Sequence, residues 1–279
     1  MSKNIDLNTI AAYYDKNQIL YNLLWSRKAS HYGFWDSGQV KHSCALENTN
    51  AFAAQCLSVE RADVILDAGC GAGGIAVWMT EKFGANIIGI TLSDVQLRQA
   101  QKLASRSASG RLTRFLKMDY HKTSFEDRSF SKIYAIESSC QSTNKRGFLR
   151  EMYRVLKPGG KITVFDFFIT KVKTDKEHKI LEDFLYGWAI PYLSSRESFK
   201  KGMLEAGFKN ITSVDKSDAI KRSVRIAYNW GLWLYPLSWL GNKLHLTPRN
   251  MHPHCIACIN QESLFNNRIM NYIVFTAEK

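Results

Sequence analysis

From residue 64 to residue 74 the chain reads Val-Ile-Leu-Asp-Ala-Gly-Cys-Gly-Ala-Gly-Gly. Val64 to Ala68 is a short apolar run of the length expected for a buried strand. The glycines after it form a loop, and Ile75 to Phe83 has the spacing of a helix. Glycines between a strand and a helix let the backbone come close to a nucleotide-like ligand. A dinucleotide site is the obvious rival, because a lone glycine-rich loop is a weak signal. Two details count against it. Asp67 stands just before the glycines, where it can meet a cationic amine, and the second strand ends in Thr91 rather than in the acid that holds an NAD ribose.

On both sides of this loop the pattern alternates. Strands are expected at Asn86–Thr91, Leu112–Met118, Lys132–Glu137 and Lys161–Phe168, with helices from Ser93, a potential cap, to about Ser105 and from Gly147 to Leu156. Lys-Pro-Gly-Gly at 157–160 reads as the turn between that last helix and the following strand. Such alternation predicts an α/β fold with a mostly parallel, seven-stranded, Rossmann-like sheet covered on both faces. Two further strands, Lys209–Asp215 and Asn271–Ala277, complete it, and a helix at Ser198–Ala206 ends at Gly207. Lys171–Lys179 reads as a charged, exposed stretch. We divide the chain into an N-terminal helical lid (1–60), a ligand-binding core (61–170) and a C-terminal part (171–279). The last contains an aromatic insert at about 219–267, too long for an idle loop.

The 279 residues are 45% hydrophobic and 12% aromatic, which excludes global disorder. A net charge of +13 makes acidic partners worth considering. The basic residues are spread out, however, and the run Arg98, Lys102, Arg106, Arg111, Arg114 and Lys117 reads as a solvated face, so no nucleic-acid partner is expected. Ile226–Asn242, the longest uncharged aromatic run, is interrupted by Pro236 and two glycines, which argues against a membrane span. The first residues lack the apolar core of a secretory leader, and six scattered cysteines (44, 56, 70, 140, 255, 258) suggest a reducing, cytoplasmic location. His252-Pro-His254-Cys255-Ile-Ala-Cys258 is too crowded for one tetrahedral metal and is read as loop packing, so no metal is expected.

Asp-Ala-Gly-Cys-Gly-Ala-Gly-Gly at 67–74 resembles motif I of class I S-adenosylmethionine (SAM) dependent methyltransferases, and Arg-Val-Leu-Lys-Pro-Gly-Gly-Lys-Ile at 154–162 is similar to their late motif. Within that superfamily, GITLSDVQ at 89–96 resembles the GITLS-x-x-Q stretch of sterol, tocopherol and cyclopropane-fatty-acid enzymes. IYAIESSC at 133–140 resembles the sterol methyltransferase YAIE-x-x-C stretch, and residues 188–208 resemble the γ-tocopherol enzymes. Tyr13-Tyr14-Asp15, Trp25 and His31-Tyr32-Gly33-Phe34-Trp35 are similar to the lid segments of these enzymes. The resemblance covers residues 10–215 and fades over the insert. Two departures stand out. Gln141-Ser142-Thr143 follows where the sterol pattern has His-Ala-Pro, and Phe130-Ser131 replaces a common Phe-Asp.

The resemblance implies SAM as cofactor. Asp67 would meet the methionyl amine, with Gly69, Gly71 and Gly73 along that moiety. Thr91, Leu92 and Gln96 would lie toward the ribose, Asp119 and Tyr120 toward the adenine, and Tyr32 and Glu137 beside the reacting centre. The group acts on apolar substrates, so a carbon acceptor such as a prenyl chain, prenyl diphosphate or sterol-like alkene is implied, with Glu137, His31 and Tyr14 as catalytic candidates. Methylating an alkene leaves a carbocation, which aromatic faces stabilise by ~0.5–2 kcal/mol each. Aromatic residues crowd the lid (Tyr13, Tyr14, Tyr21, Trp25, Tyr32, Phe34, Trp35) and the insert (Tyr228, Trp230, Trp233, Tyr235, Trp239). O- or N-methylation of an aromatic natural product, with Asp36, His178 or His245 as further bases, is the alternative enzyme reading. A SAM-binding partner protein without catalysis is a third. The basic excess also admits a diphosphate-bearing or membrane-associated substrate and peripheral membrane contact; the oligomeric state is left open.

Overall fold

The structure, a computed structural model, describes residues 5–36, 41–248 and 250–279. The first four residues of the segment examined for a leader lie outside that range. Seven strands form one sheet: β1 (Val64–Ala68), β2 (Asn86–Thr91), β3 (Thr113–Lys117), β4 (Phe130–Ile136), β5 (Leu156–Ile169), β6 (Lys209–Asp215) and β7 (Met270–Glu278). Their order is β3-β2-β1-β4-β5-β7-β6, and β7 alone runs antiparallel to its neighbours. From β1 the chain winds outward to β3 and then returns to start β4 on the other side. The carboxyl ends of β1 and β4 therefore diverge at the point where open α/β sheets bind ligands.

Local chemistry sets the boundaries. Ser93 caps α4 (Asp94–Ala104) by accepting from the Gln96 N–H, and Asn144 caps α5 (Lys145–Val155) through the Gly147 N–H. Lys-Pro-Gly-Gly stays irregular inside β5. The register with β4 jumps there from Phe130↔Leu156 to Lys132↔Lys161, and Gly159 takes φ +72°. The charged stretch at 171–179 is not merely exposed coil. Thr174 and Glu177 form a reciprocal capping box that starts α6 (Asp175–Gly187). α3 (Gly74–Phe83) follows the glycine loop, and α7 (Arg196–Ala206) ends at left-handed Gly207.

Two apolar layers cover the sheet, one around Ile65, Tyr134, Phe165 and Tyr272, the other around Leu66, Phe148, Val164 and Phe275. The N-terminal segment divides in two. α1 (Leu7–Leu20) and a π-helical turn at Tyr21–Trp25, closed by the Ser26 N–H on the Tyr21 carbonyl, lie over the ligand edge. α2 (His42–Leu57) packs on the sheet as an ordinary covering helix, with Phe34 buried among Phe52, Phe165 and Tyr272. The insert is a helical hairpin, α8 (Ser217–Lys243) and α9 (Met251–Asn266). His252 to Cys258 therefore sits on a helix rather than in a loop. No described helix is long and apolar enough to cross a membrane.

Candidate active site

A cavity of about 1560 Å³, partly open to solvent, lies between the ligand edge of the sheet, the lid and the α8–α9 hairpin. Asp67, Gly69, Gly71, Thr91, Leu92, Gln96, Tyr120, Glu137, Tyr14, His31 and Tyr32 all line it. Of the residues expected at the site, only Gly73 and Asp119 do not.

Asp67 is 3% exposed, and its Oδ2 accepts a hydrogen bond from the Tyr134 hydroxyl at 2.8 Å. Burial lifts its pKa to about 7, only partly offset by that bond, and no described cation pairs with it. A buried carboxylate facing a cavity without a counter-charge fits a ligand ammonium group. Gly69 (φ +101°) is required by packing, since a Cβ there would sit 2.4 Å from the Ser138 Cβ. Gly71 (φ +51°) is different: its Cβ would meet only the Gln96 amide at 3.8 Å, so the space beside it is open to a ligand. Gly73 is a packing glycine against Phe115 and Ala100, which is why it stands off the cavity.

The end of β2 is tied to the lid. Thr91 Oγ1 donates to Gln96 Oε1 (3.1 Å), and Gln96 Nε2 donates to Gln18 Oε1 of α1 (3.0 Å). Asp15 accepts from the Ser93 hydroxyl and from the Val95 N–H at the start of α4. A carboxylate there also suits the positive end of the helix dipole. Asp119 turns away: its Oδ1 accepts from the His121 N–H and meets His121 Nδ1 at 2.6 Å. Burial opposes its charge, but the His121 bonds hold its pKa below the usual range. Tyr120 lines the cavity and donates to the Ser138 carbonyl (3.0 Å).

Glu137 follows β4 in the left-handed region (φ +50°), an unusual conformation for a non-glycine residue that points to function. Its Oε1 accepts from the Tyr32 N–H and from the Tyr272 hydroxyl, both at 2.8 Å. Burial pushes its pKa up to about 8 against those two bonds. Behind it, Asp166 of β5 accepts from the Ser139 hydroxyl and the Cys140 N–H, each at 2.7 Å. The buried Lys145 ammonium donates to the Cys140 and Ser142 carbonyls, fixing the same turn.

His31 is buried, and burial drops its pKa to about 4. Its Nδ1 donates to the Tyr32 carbonyl (2.9 Å), leaving Nε2 as a lone pair beside Asn50, whose Oδ1 also lacks a partner. Exchanging the Asn50 amide oxygen and nitrogen satisfies both atoms. His31 therefore holds the chain that carries Tyr32, and Glu137 is the better-placed carboxyl or base. Asp36 pairs with Lys216, while His178 and His245 are exposed; none of the three lines the cavity.

The far side of the cavity is aromatic. Tyr14 donates to Gln141 Oε1 (2.8 Å), and Gln141 Nε2 donates to the Trp188 carbonyl (3.2 Å). The residue that departs from the sterol pattern thus anchors the lid. Tyr21 Oη lies 3.1 Å from Tyr13 Oη, which lies 2.8 Å from His254 Nδ1; His254 Nε2 faces the Cys258 thiol. His252 bonds instead to Ser238, and no described cluster of three metal-ligating side chains exists. Of the insert aromatics, Trp230 lines the cavity, Tyr228 is half-buried away from it, and Trp233, Tyr235 and Trp239 are exposed. Sequence reading missed Tyr272, Asp166, Gln141 and His254. The first two sit on strands whose apolar pattern hid their roles. Gln141 was visible only as a departure, and His254 was set aside with the metal reading.

Residues 66–164 match the Methyltransferase domain family. The sterol 24-C-methyltransferase of Saccharomyces cerevisiae is 30% identical over 210 residues, covering 74% of this chain and 54% of that protein. The chain thus spans about half the length of the curated relative it matches. Among solved structures, the cyclopropane synthase MmaA2 of Mycobacterium tuberculosis superposes with a TM-score of 0.84 at 16% identity, covering 98% of each chain. The geranyl diphosphate C-methyltransferase of Streptomyces coelicolor gives 0.75 at 16%, covering 100% of this chain and 99% of that one. At such identity the likeness is one of fold.

Proposed function

The chain carries a methyltransferase domain at residues 66–164, and from this premise we propose that it is a SAM-dependent C-methyltransferase acting on an apolar, isoprenoid-type double bond. The observation that carries the acceptor class is Glu137, a buried carboxyl braced by Tyr32 and Tyr272 in a chamber walled by Tyr14, Tyr21, Phe167, Trp188 and Trp230. Bound SAM supplies an electrophilic methyl group on a cationic sulfur. Asp67 meets the methionyl ammonium, the backbone at Gly71 admits that moiety, and Gln96 and Thr91 lie toward the ribose. The lid and the hairpin cover much of the chamber and limit the access of water, which would quench a carbocation. Glu137 and the aromatic faces stabilise positive charge as it develops on the acceptor.

The relatives named above act on a sterol and on geranyl diphosphate, and both acceptors are isoprenoid alkenes. Among the described lining residues Lys28 is the one permanently cationic side chain, which favours a neutral acceptor over a diphosphate. The mainly apolar chamber also favours carbon over an oxygen or nitrogen acceptor. The proton released after methylation passes from Tyr21 through Tyr13 to His254. Six free cysteines suit a reducing compartment, and we assign the cytoplasm. Incubation with labelled SAM and a panel of prenyl alcohols, prenyl diphosphates, sterols and phenols, read by mass spectrometry, tests the reading. A new C–CH3 group on an alkene is the expected product; methyl on oxygen or nitrogen overturns it.

A further inference from the structure

α8 is inverted relative to an ordinary surface helix. Ala227, Gly231, Ser238 and Gly241 face inward, and a Cβ on Gly231 would touch Cys258 and the Cys255 carbonyl of α9. The large apolar side chains point out: Trp233 is 79% exposed and Leu237 65%, with Leu232, Trp239, Leu240, Leu244 and Leu246 also bare. A soluble helix buries its large apolar residues and exposes its small and polar ones. This one does the reverse along its second half.

The same surface reaches the cavity. Trp230 and Leu234 line the chamber while their neighbours Trp233 and Leu237 face outward. Across the chamber, Leu20 and Leu24 line it while Ile19 (64%) and Leu23 (68%) are exposed. Both walls of the chamber are thus backed by outward-facing apolar side chains. Both are also acid-free in sequence. No Asp or Glu occurs from Lys16 to Trp35 or from Ala219 to Gln261. Lys16, Arg27, Lys28, Arg222 and Lys243 are exposed within these stretches, while Lys221 and Arg225 pair with Asp218 and Glu262 just outside the second. Trp and Leu on one face with flanking Lys and Arg is the composition of a helix that lies in a lipid interface.

We propose that the outer face of α8, with the exposed edge of the α1 end and its π-helical turn, docks on an anionic lipid bilayer and opens the chamber toward it. Trp233 and Leu237 enter the headgroup–acyl boundary, and the basic residues meet anionic headgroups. This deepens the apolar-acceptor reading, on which it rests for the source of the acceptor: substrate reaches the chamber from the bilayer without crossing water. The contact itself needs no cofactor or acceptor.

The test is co-sedimentation of the full chain with vesicles of phosphatidylcholine alone or mixed with phosphatidylglycerol, across a salt series. The double variant W233S/L237S changes exposed residues outside the cavity, so circular dichroism and SAM binding should match the parent. The parent should bind the mixed vesicles, more weakly at high salt, with a blue shift of tryptophan emission. The double variant should bind roughly tenfold or more weakly. Absence of binding to mixed vesicles, or equal binding by the variant, overturns the proposal. So does light scattering that shows a dimer of the parent and a monomer of the variant, since a second copy would then cover this face. Because vesicle binding is read without cofactor or acceptor, its failure is separate from failure of the methyl-transfer reading.

Discussion

The Tyr272 hydroxyl donates to Glu137 at 2.8 Å across 135 residues of sequence, joining the antiparallel strand β7 to the first residue beyond β4. The Tyr32 N–H reaches the same oxygen from the lid side. The sheet's antiparallel strand and the lid thus converge on one carboxyl group, whose other oxygen is left for the cavity. Such convergence fixes the position of a carboxyl group that burial keeps protonated near neutral pH and that a cation beside it would ionise.

Glu137→Gln keeps this shape and removes the charge. Turnover should fall about 10²–10³-fold, the usual cost of losing one preorganised electrostatic partner, while SAM affinity stays near that of the parent. Tyr272→Phe leaves the carboxyl one donor short and should lower kcat about tenfold, in line with ~1.5–3 kcal/mol for a bond to a charged group. Calorimetry with SAM and single-turnover methyl transfer separate the two effects. Normal turnover in the Gln variant would remove Glu137 from the chemistry.

The carboxyl of Asp67, raised from 3.8 to about 7, is ionised in the unfolded chain but protonated in the ligand-free fold between those values. The unfolded state binds fewer protons there, so stability should fall as pH rises from about 4 to about 7 and then level off. Glu137, raised from 4.5 to about 8, adds a slope of the same sign up to about 8. A ligand ammonium favours ionised Asp67, so SAM affinity should rise with pH through about 7, and binding at pH 6 should release a proton. Calorimetry in buffers of different ionisation enthalpy measures that proton. Asp67→Asn should remove the share of the release that Asp67 supplies, and an unchanged proton count in that variant would move the amine site elsewhere.

Gly69 and Gly71 should respond differently to side chains. Gly69→Ala combines a positive φ with a 2.4 Å overlap on Ser138, and it should lower the thermal midpoint strongly. Gly71→Val meets only backbone strain, about 1–3 kcal/mol, and should remain folded. It should nevertheless lose measurable SAM binding, because its branched side chain enters the ligand's space. A folded Gly71→Val that binds SAM like the parent would show that the methionyl group lies elsewhere.

Much of the fold was legible because alternation and caps are local. The strand Val64–Ala68, the cap at Ser93 and the late turn at 157–160 each carry their own chemistry, and their order implies a parallel sheet. The hairpin α8–α9 was not legible. Its outward aromatic face violates the amphipathic pattern by which helices are read, while its inner face lines the cavity. At the site, the residues that line the cavity beside β1, β2 and β4 came from motifs, whereas Tyr272, Asp166 and His254 depend on contacts between distant segments. The bonds from His121 to the Asp119 carboxylate were not legible either, because they are local contacts that the motif does not announce.

Tyr21, Tyr13 and His254 form a chain that could carry the proton released after methylation. Once the methyl group has bonded to one alkene carbon, a C–H bond beside the cationic carbon must supply its electron pair to restore a double bond. With His254 Nε2 protonated toward Cys258, Nδ1 accepts from Tyr13 and Tyr13 accepts from Tyr21, leaving a Tyr21 lone pair for the substrate proton. Burial holds the His254 pKa at about 4, so the imidazole is neutral at physiological pH and free to accept. So weak a base is sufficient, because a C–H bond next to a carbocation is a far stronger acid. Burial raises the Tyr21 pKa, which keeps its phenol neutral and makes transfer along the chain, rather than a phenolate, the available route. Tyr21→Phe should therefore slow turnover about 10²-fold, the lower end for loss of a general base, and divert product toward a hydrated alcohol or a different alkene isomer. His254→Asn removes the final acceptor of this route and should shift the product ratio in the same direction with SAM binding intact. Product analysis by gas chromatography with mass detection decides it. If Tyr21→Phe forms the parental alkene at the parental rate, the proton leaves by another group, and Glu137 becomes the base as well as the electrostatic partner.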